Sequence, residues 1–441
     1  MSPDGAPSRK AALRQRDFRV LLVATAMANL VLPAHFISLT FWAIDTYPDQ
    51  KVLLSGLIVA VRGAGMLGFG LIGGAIADRF ERRRVILACE CTMFATTVLL
   101  ATCMLAMPFG DATVVAVLAL VFVFAITMAI DVPSRTASIP VIVGRGQLGP
   151  AMGLFNVALQ ITAPVSLPLV GFLVGAFGPE KVVAGSIAAW FVILPLIASL
   201  SYTKPPSDAP LRPLRPGVMI GDIRAGLSYA ARDRVILPVI AMVFVLQVVG
   251  MPGVGMLGPV WMTEILGLSR AQFGLIAMLW GMGALAGSFF LASRPGLSSK
   301  GPTLAFLVLL FGVGGIVFGH SRFVPLTAVA NFSLGIAMAG TLLTSATIVQ
   351  YQVAEEMRGR VMGLFPLVMG ISMLNVGPVS AAGQAAGLPI VVPALEWAAL
   401  GLALVIILAA PALRRAGGDR GRSEGPPPPA PHTEVAAPAD A

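Results

Sequence analysis

Long apolar runs, most of them followed by a short cluster of Lys and Arg, recur along the whole chain. A helix needs about 20 mostly apolar residues to cross a hydrocarbon core about 30 Å thick. Stretches 20–44, 91–110, 182–203, 235–263, 271–293 and 323–354 reach that length without one Asp, Glu, Lys or Arg. The run 361–395 is interrupted at Gly387-Leu388-Pro389 and reads as two helices meeting at a tight turn. Allowing single charges inside a span, the pattern predicts helices over 20–44, 52–77, 85–107, 112–131, 149–177, 182–203, 235–263, 271–293, 302–319, 323–349, 361–386 and 389–410. No run of short alternating segments of the β-barrel kind is present. The first apolar stretch is too long for a signal-peptide core and is expected to stay as a span. The fold class that follows is an all-α integral membrane protein with twelve transmembrane helices.

Composition agrees. Charged residues make up 12% of the 441, about half the ~25% of soluble domains. That excludes an ordinary globular protein, a disordered one and a nucleic-acid-binding domain. The net charge of +9 does not argue for nucleic acid, because its Lys and Arg sit between apolar runs. With the N-terminus in the cytoplasm, 25 of the 30 Lys and Arg fall on the inner side. Only Lys51, Lys181, Arg270 and Arg322 fall outside, and Arg62 lies within a span. This positive-inside bias predicts a multi-pass protein of the cell membrane with both termini cytoplasmic. Cys89, Cys91 and Cys103 share one apolar stretch without a nearby His, so neither a disulfide nor a metal site is expected.

Six spans precede and six follow the Pro-rich segment 204–234, whose second part has the spacing of an amphipathic helix. The expected organisation is a basic cytoplasmic N-terminus (1–19), a first six-helix bundle (20–203), a cytoplasmic linker (204–234), a second bundle (235–410) and a disordered cytoplasmic tail (411–441). The halves resemble each other. Met152-Gly153-Leu154-Phe155 recurs as Met362-Gly363-Leu364-Phe365, Gly70-xxx-Gly74 as Gly283-xxx-Gly287, and Ala77-Asp78-Arg79 as Ala292-Ser293-Arg294. All three repeat at nearly one offset, which predicts two pseudo-symmetric six-helix bundles able to rock about a site between them.

The segment Gly74-Ala-Ile-Ala-Asp78-Arg79-Phe-Glu81-Arg82-Arg83 resembles the G-x-x-x-D-R-x-G-R-R signature of the major facilitator superfamily, with Glu81 in place of the usual Gly. Ile130-Asp131-Val132-Pro133-Ser134-Arg135 and Arg358-Gly359-Arg360-Val361-Met362-Gly363 resemble the siderophore- and drug-exporting branch typified by the enterobactin exporter and the drug–proton antiporters. The resemblance covers about residues 14–412. It implies the major facilitator fold, and for Gly74, Asp78, Arg79, Arg82 and Arg83 a latch between the halves that releases during transport. A positive-inside anchor without gating is the alternative reading of that cluster. The export-linked Gly-Pro motif is degraded in the fifth span, where Ala163-Pro164 stands instead.

Charged groups inside a bilayer are costly and therefore candidates for function. Arg62 lies near mid-bilayer, about 15 Å deep at 1.5 Å per residue. His35, Ser38, Trp42 and Asp45 share one face of the first span, with His35 in the layer of Arg62. This stripe is the first substrate-binding or coupling candidate, against the reading that Arg62 pairs with Asp45 or snorkels outward. In the tenth span, Asn331, Met338, Thr341 and Ser345 also share a face. The resemblance implies a cavity lined by spans 1, 4, 7 and 10, which adds Thr127 and Gln247. For each of these polar residues a helix–helix hydrogen bond is the competing reading. Proton-coupling candidates are Asp45, Glu90, Asp131, Glu264, Glu396 and His35; for Glu90, Asp131 and Glu264, near predicted span ends, salt bridges to loop arginines compete.

Gly63-x-Gly65-x-x-Gly68 and Gly253-x-Gly255-x-x-Gly258 match a dinucleotide fingerprint but lie inside apolar spans and are rejected. No catalytic constellation and no ATP-binding loop is found, so no enzyme and no cofactor are expected. The expected function is alternating-access export of a small molecule, a siderophore-like metabolite or drug, by proton antiport. Expected partners are the small-molecule substrate, protons and membrane lipids, with no nucleic acid, and the chain is expected to be a monomer. An importer or facilitator, a lysophospholipid flippase, and a non-transporting sensor or scaffold remain alternatives.

Overall fold

Without water to bond exposed backbone groups, a membrane-spanning chain must close its hydrogen bonds within each segment. The computed structural model follows that rule: it describes residues 9–106, 110–201, 216–298 and 300–415, and no strand occurs among them. Side chains are described at these positions except 9, 10, 71, 72, 74, 75, 77–79, 145, 163, 216–219, 295, 298, 414 and 415. The spans of the first bundle are span 1 (Arg16–Thr46), span 2 (Lys51–Arg79), span 3 (Arg82–Ala106), span 4 (Asp111–Val143), span 5 (Leu148–Phe177) and span 6 (Pro179–Ala198). The second bundle contributes span 8 (Arg270–Ala292), span 9 (Gly301–His320), span 10 (Val324–Gln352), span 11 (Leu364–Ala386) and span 12 (Leu388–Ala409). Among the described residues, eleven helices are long and apolar enough to cross a bilayer by themselves.

Span 7 is different. It starts as an α-helix, Ile236–Phe244, then winds through π-helical segments Val245–Gly250, Pro252–Met256 and Trp261–Ile265 around one α turn, Gly258–Val260. The π winding leaves backbone carbonyls that side chains of span 11 satisfy. Asn375 Nδ2 donates to the Val248 carbonyl at 2.8 Å, and the Ser372 hydroxyl donates to that of Gln247. A helix over Pro216–Arg232 leads into span 7 through a 114° bend. Asp233 at the bend caps span 7, its Oδ1 accepting from the Val235 and Ile236 amides at 2.8 and 2.9 Å. The Pro216–Arg232 helix docks on a short helix, Glu355–Met362, through an Asp222–Arg360 ion pair of 2.8 Å. Residues 202–215, the Pro-rich part of the linker, and 416–441, most of the expected tail, lie outside the described residues.

The packing is pseudo-symmetric. Contacts of spans 1–5, 1–6, 2–4, 3–4 and 3–6 recur six spans later as 7–11, 7–12, 8–10, 9–10 and 9–12. Between bundles, spans 2 and 11 pair just as spans 5 and 8 do. Two turns repeat as well: Gly178 (φ 87°) joins spans 5 and 6, and Gly387 (φ 92°) joins spans 11 and 12. Both hold left-handed backbone, which costs glycine nothing and lets a helix reverse in one residue.

Two sequence expectations need correction. Span 4 does not stop near Asp131 but runs on to Val143, through Pro133 and Pro140. Arg135 and Ser138 are thereby buried core residues and not loop. The Gly70-xxx-Gly74 spacing, which would clear one face of span 2 for close packing, fails at Gly70, where nothing stands within 4 Å of a built Cβ; Gly74 lies outside the described side chains. Span 4 instead closes on Gly65 and Gly73, where a Cβ would meet Ala125 and the Ala129 carbonyl. Gly283 and Gly287 do pack as the spacing predicts, against Phe332 and Ile336 of span 10.

Candidate functional site

The boundary between the bundles is closed at one end only. The end that holds the described termini and the Pro216–Arg232 helix is called here the terminal end, and the other the distal end. At the distal end Asp45, in the last turn of span 1, pairs with Arg270 at the start of span 8. A capping box places Arg270: Ser269 Oγ accepts from the Gln272 amide at 3.3 Å, and Gln272 Oε1 accepts from the Ser269 amide at 2.9 Å. The Arg270 guanidinium also lies 5.3 Å from the Phe41 ring, which meets Phe273 edge-on at 5.5 Å. Lys51 of span 2 pairs with Glu264 of span 7, and Gln384 Nε2 donates to the Asp49 carbonyl at 2.7 Å. Apart from the capping box, all of these contacts cross from one bundle to the other.

Small residues carry the boundary towards the middle of the molecule. A Cβ on Gly274 of span 8 would stand 2.8 Å from the Leu167 carbonyl of span 5, and one on Gly63 2.5 Å from Met373 Cβ. Spans 2 and 11 still meet at Gly370, where a Cβ would stand 2.9 Å from Leu67, but further towards the terminal end Cβ atoms built on Gly70 and Gly153 meet nothing within 4 Å. The two bundles thus touch over their distal and central parts and part towards the terminal end.

In the polar stripe of span 1, His35, Ser38 and Trp42 are buried and Asp45 is exposed. His35 Nε2 is 3.3 Å from Ser186 Oγ of span 6, and the ring meets Phe124 edge-on at 5.0 Å. Ser38 Oγ and Trp42 Nε1 are buried without a hydrogen-bond partner. Asp45 lies at the distal end with Arg270 and does not pair with Arg62. Arg62 stacks on Phe36, 3.4 Å from the ring centroid, and its buried Nε has no hydrogen-bond partner. Its neighbour Gly63 packs on span 11, while the guanidinium itself rests on Phe36 of span 1.

In span 10, Asn331, Thr341 and Ser345 are buried with polar side-chain atoms unpartnered, and Met338 is half-buried. Thr127 spends its hydroxyl on the Val123 carbonyl at 2.8 Å, and Gln247 is buried within a π segment of span 7. Of the signature cluster, the side chains of Asp78 and Arg79, with the Gly74 position, lie outside the described ones. Arg82 Nη1 donates to the Ala137 carbonyl at 2.5 Å and Arg83 Nη2 to that of Ala198 at 2.6 Å, both within the first bundle.

Sequence reasoning named Glu90 and Asp131 as coupling candidates with loop arginines as competing partners, but missed that Arg135 lies within span 4 and joins both in a buried cluster. Arg135 Nε lies 2.6 Å from Asp131 Oδ2, its Nη2 pairs with Glu90 of span 3, and its Nη1 donates to Thr25 Oγ1 of span 1 at 2.9 Å. Exposures are 2% for Arg135, 0% for Glu90 and 5% for Asp131. The available signal was the i,i+4 spacing of Asp131 and Arg135, obscured by the proline between them. Glu396 of span 12 is also fully buried, both carboxyl oxygens unpartnered, against Gly253 and Gly315.

The chain matches the family model of the Major Facilitator Superfamily over residues 20–378. It is 27% identical over 315 residues to an uncharacterized MFS-type transporter, YceJ, of Bacillus subtilis (strain 168), covering 70% of this chain and 75% of that protein. It is likewise 27% identical over 330 residues to the enterobactin exporter EntS of Escherichia coli O1:K1 / APEC, covering 70% and 72%. A crystal structure of a mutant of the peptide transporter POT superposes with a TM-score of 0.70 at 16% identity, covering 91% of this chain and 95% of that one.

Proposed function

The chain belongs to the Major Facilitator Superfamily, a family of transporters and not a class of enzymes, and on that premise we propose that it exports a small molecule from the cytoplasm by alternating access coupled to proton antiport. The terminal end, with both termini, faces the cytoplasm of a bacterial cell, as the Lys and Arg distribution argues. The observation that carries the reading is the asymmetric boundary: ion pairs Asp45–Arg270 and Lys51–Glu264 tie the bundles at one end, while small residues of spans 2 and 5 stand uncovered at the other. That is a cytoplasm-open state of a two-state machine. The opposite state requires these pairs to break and the terminal ends to meet. Resemblance to an exporter supports the direction.

Arg62 supports a cargo class. A cation within a span, without a carboxylate partner among the described residues, attracts a neutral, amphipathic or anionic ligand more readily than a lipophilic cation. His35, Ser38, Trp42, Asn331, Met338, Thr341 and Ser345, together with Thr127 and Gln247, are the further residues that an altered helix packing would bring to the ligand. In inside-out vesicles given a pH gradient, an anionic fluorescent dye and a catecholate siderophore are expected to accumulate. Accumulation that an uncoupler leaves unchanged removes the proton drive; no accumulation of either probe above vesicles lacking the protein removes this export reading.

A further inference from the structure

We propose that Asp131 and Glu90, sharing Arg135 in the interior of the first bundle, form the site that takes up and releases one proton per transport cycle. This rests on the proton-antiport reading above and names the place where the coupling ion is held.

Three spans converge on the site. Thr25 of span 1 accepts from Arg135 Nη1, Glu90 of span 3 takes Nη2, and Asp131 of span 4 takes Nε. The hydroxyl of Thr25 is itself spent on the Leu21 carbonyl at 2.7 Å, so it has no proton to offer the acids. Two carboxyl oxygens, Asp131 Oδ1 and Glu90 Oε2, are buried without a hydrogen-bond partner. With both acids ionised, the three charged side chains sum to one negative charge in apolar surroundings, a costly state. One proton added to the carboxylate of Asp131 or Glu90 cancels it: one ion pair to Arg135 stays, and the other becomes a hydrogen bond to a neutral acid. Two like charges in one buried site share a single proton in the same way.

Among the described residues, the other groups that face the pair in the printed contacts and the cavity wall carry no charge to balance it. Span 3 adds the thiol of Cys89, and spans 1, 5 and 6 present Asn29, Phe155, Leu159 and Trp190, none of them charged. A cavity of about 170 Å³ reaches the Asp131 member of the pair, with Thr25, Asn29, Asp131 and Arg135 in its wall. At about 30 Å³ per molecule it has room for a few waters, a route for the proton. Arg135 is eight residues from the terminal end of span 4, about 12 Å at 1.5 Å per residue. The site therefore lies on the side that is open in this structure. Because it joins spans 1, 3 and 4, its charge bears on how those helices pack, and through spans 2 and 5 on the inter-bundle boundary.

The test reads the proton directly and needs no substrate. Infrared difference spectra across a pH step are recorded on the full chain in nanodiscs, with aspartate carboxyls isotopically labelled. The expected result is a buried carboxylic-acid band in the wild type that disappears or shifts in Asp131→Asn and in Glu90→Gln but survives in Glu396→Gln. Wild-type and variant spectra that coincide overturn the proposal; should Asp131→Asn fail to fold, Glu90→Gln carries the same comparison. Radiolabelled sodium that binds the wild type and is lost in both variants overturns the assignment to a proton. In proteoliposomes where the wild type moves the anionic dye in response to a pH gradient, both variants should keep dye exchange and lose the gradient response. The carboxyl band without any gradient-driven transport sinks the antiport reading, whereas gradient-driven transport without the band sinks this site alone.

Discussion

Arg270 reaches both carboxylate oxygens of Asp45 through one guanidinium nitrogen, and in doing so ties span 8 to span 1 across 225 residues of sequence. The pair is partly solvated, with side-chain exposures of 27% and 35%. Exposed pairs of this kind contribute about 0–1 kcal/mol each, enough to bias a two-state boundary and too little to lock it.

The first prediction follows from that magnitude. Asp45→Asn or Glu264→Gln alone should shift the balance between the two access states by less than about fivefold, and the double variant by up to about 25-fold. Spin-label distances between the distal ends of spans 2 and 8 should gain a longer component in the double variant. An unchanged distance distribution removes the latch.

Glycine contacts should separate sharply by position. Gly274→Val drives a side chain into the Leu167 carbonyl and Pro168 Cα, at 2.8 and 3.0 Å from the added Cβ, and neither backbone can yield. Transport should be lost while the helix content by circular dichroism stays. Gly70→Ala meets open space and should be neutral or stabilise by about 0.5–1 kcal/mol, the usual gain in a helix. A melting point lowered by Gly70→Ala would contradict the placement of that residue.

Removing Arg135 alone should be among the most damaging single changes in the first bundle. Arg135→Ala strands two buried carboxylates, and breaking a buried pair costs about 3–5 kcal/mol. Adding Glu90→Gln and Asp131→Asn to Arg135→Met should recover much of the lost thermal stability. Equal stability of the single and triple variants would argue against the cluster.

Arg62 should behave in the opposite way. It stacks on Phe36 and holds no ion pair among the described residues, so Arg62→Ala should leave the melting temperature nearly unchanged. Export of an anionic probe should fall at least tenfold, with partial retention in Arg62→Lys, which keeps the charge. Unaltered export by Arg62→Ala would exclude the guanidinium from ligand contact.

The π winding of span 7 should depend on its neighbour. Asn375→Leu and Ser372→Ala each remove a donor from a π-segment carbonyl, at about 0.6 kcal/mol per hydrogen bond in a membrane interior and at most about 1.7. Hydrogen exchange around 245–250 should accelerate in the double variant. Protection equal to the wild type would mean the π geometry does not need span 11.

Span 4 shows why some of this could not be read along the chain. Pro133 and Arg135 look like the start of a loop, since proline breaks soluble helices and arginine is expensive in lipid. In the folded bundle, both objections vanish: the proline's lost hydrogen bond is tolerated in a packed membrane helix, and the guanidinium finds Asp131, Glu90 and Thr25. The polar stripe of span 1 fared differently. Its helical face was legible, yet the partners divide it, with His35 on Ser186 and Asp45 on Arg270.

The linear order of residues was enough to settle the helical class, the positions of most spans and the duplication of a six-helix unit. Those properties follow from apolar length and from backbone groups that must be satisfied within each segment. Folding alone decided which charges neutralise which. Lys51 and Glu264 are 213 residues apart, and Glu90 meets Arg135 only because spans 3 and 4 pack side by side. Pairing energies depend on distance and on the surrounding dielectric, and neither exists until the helices are assembled.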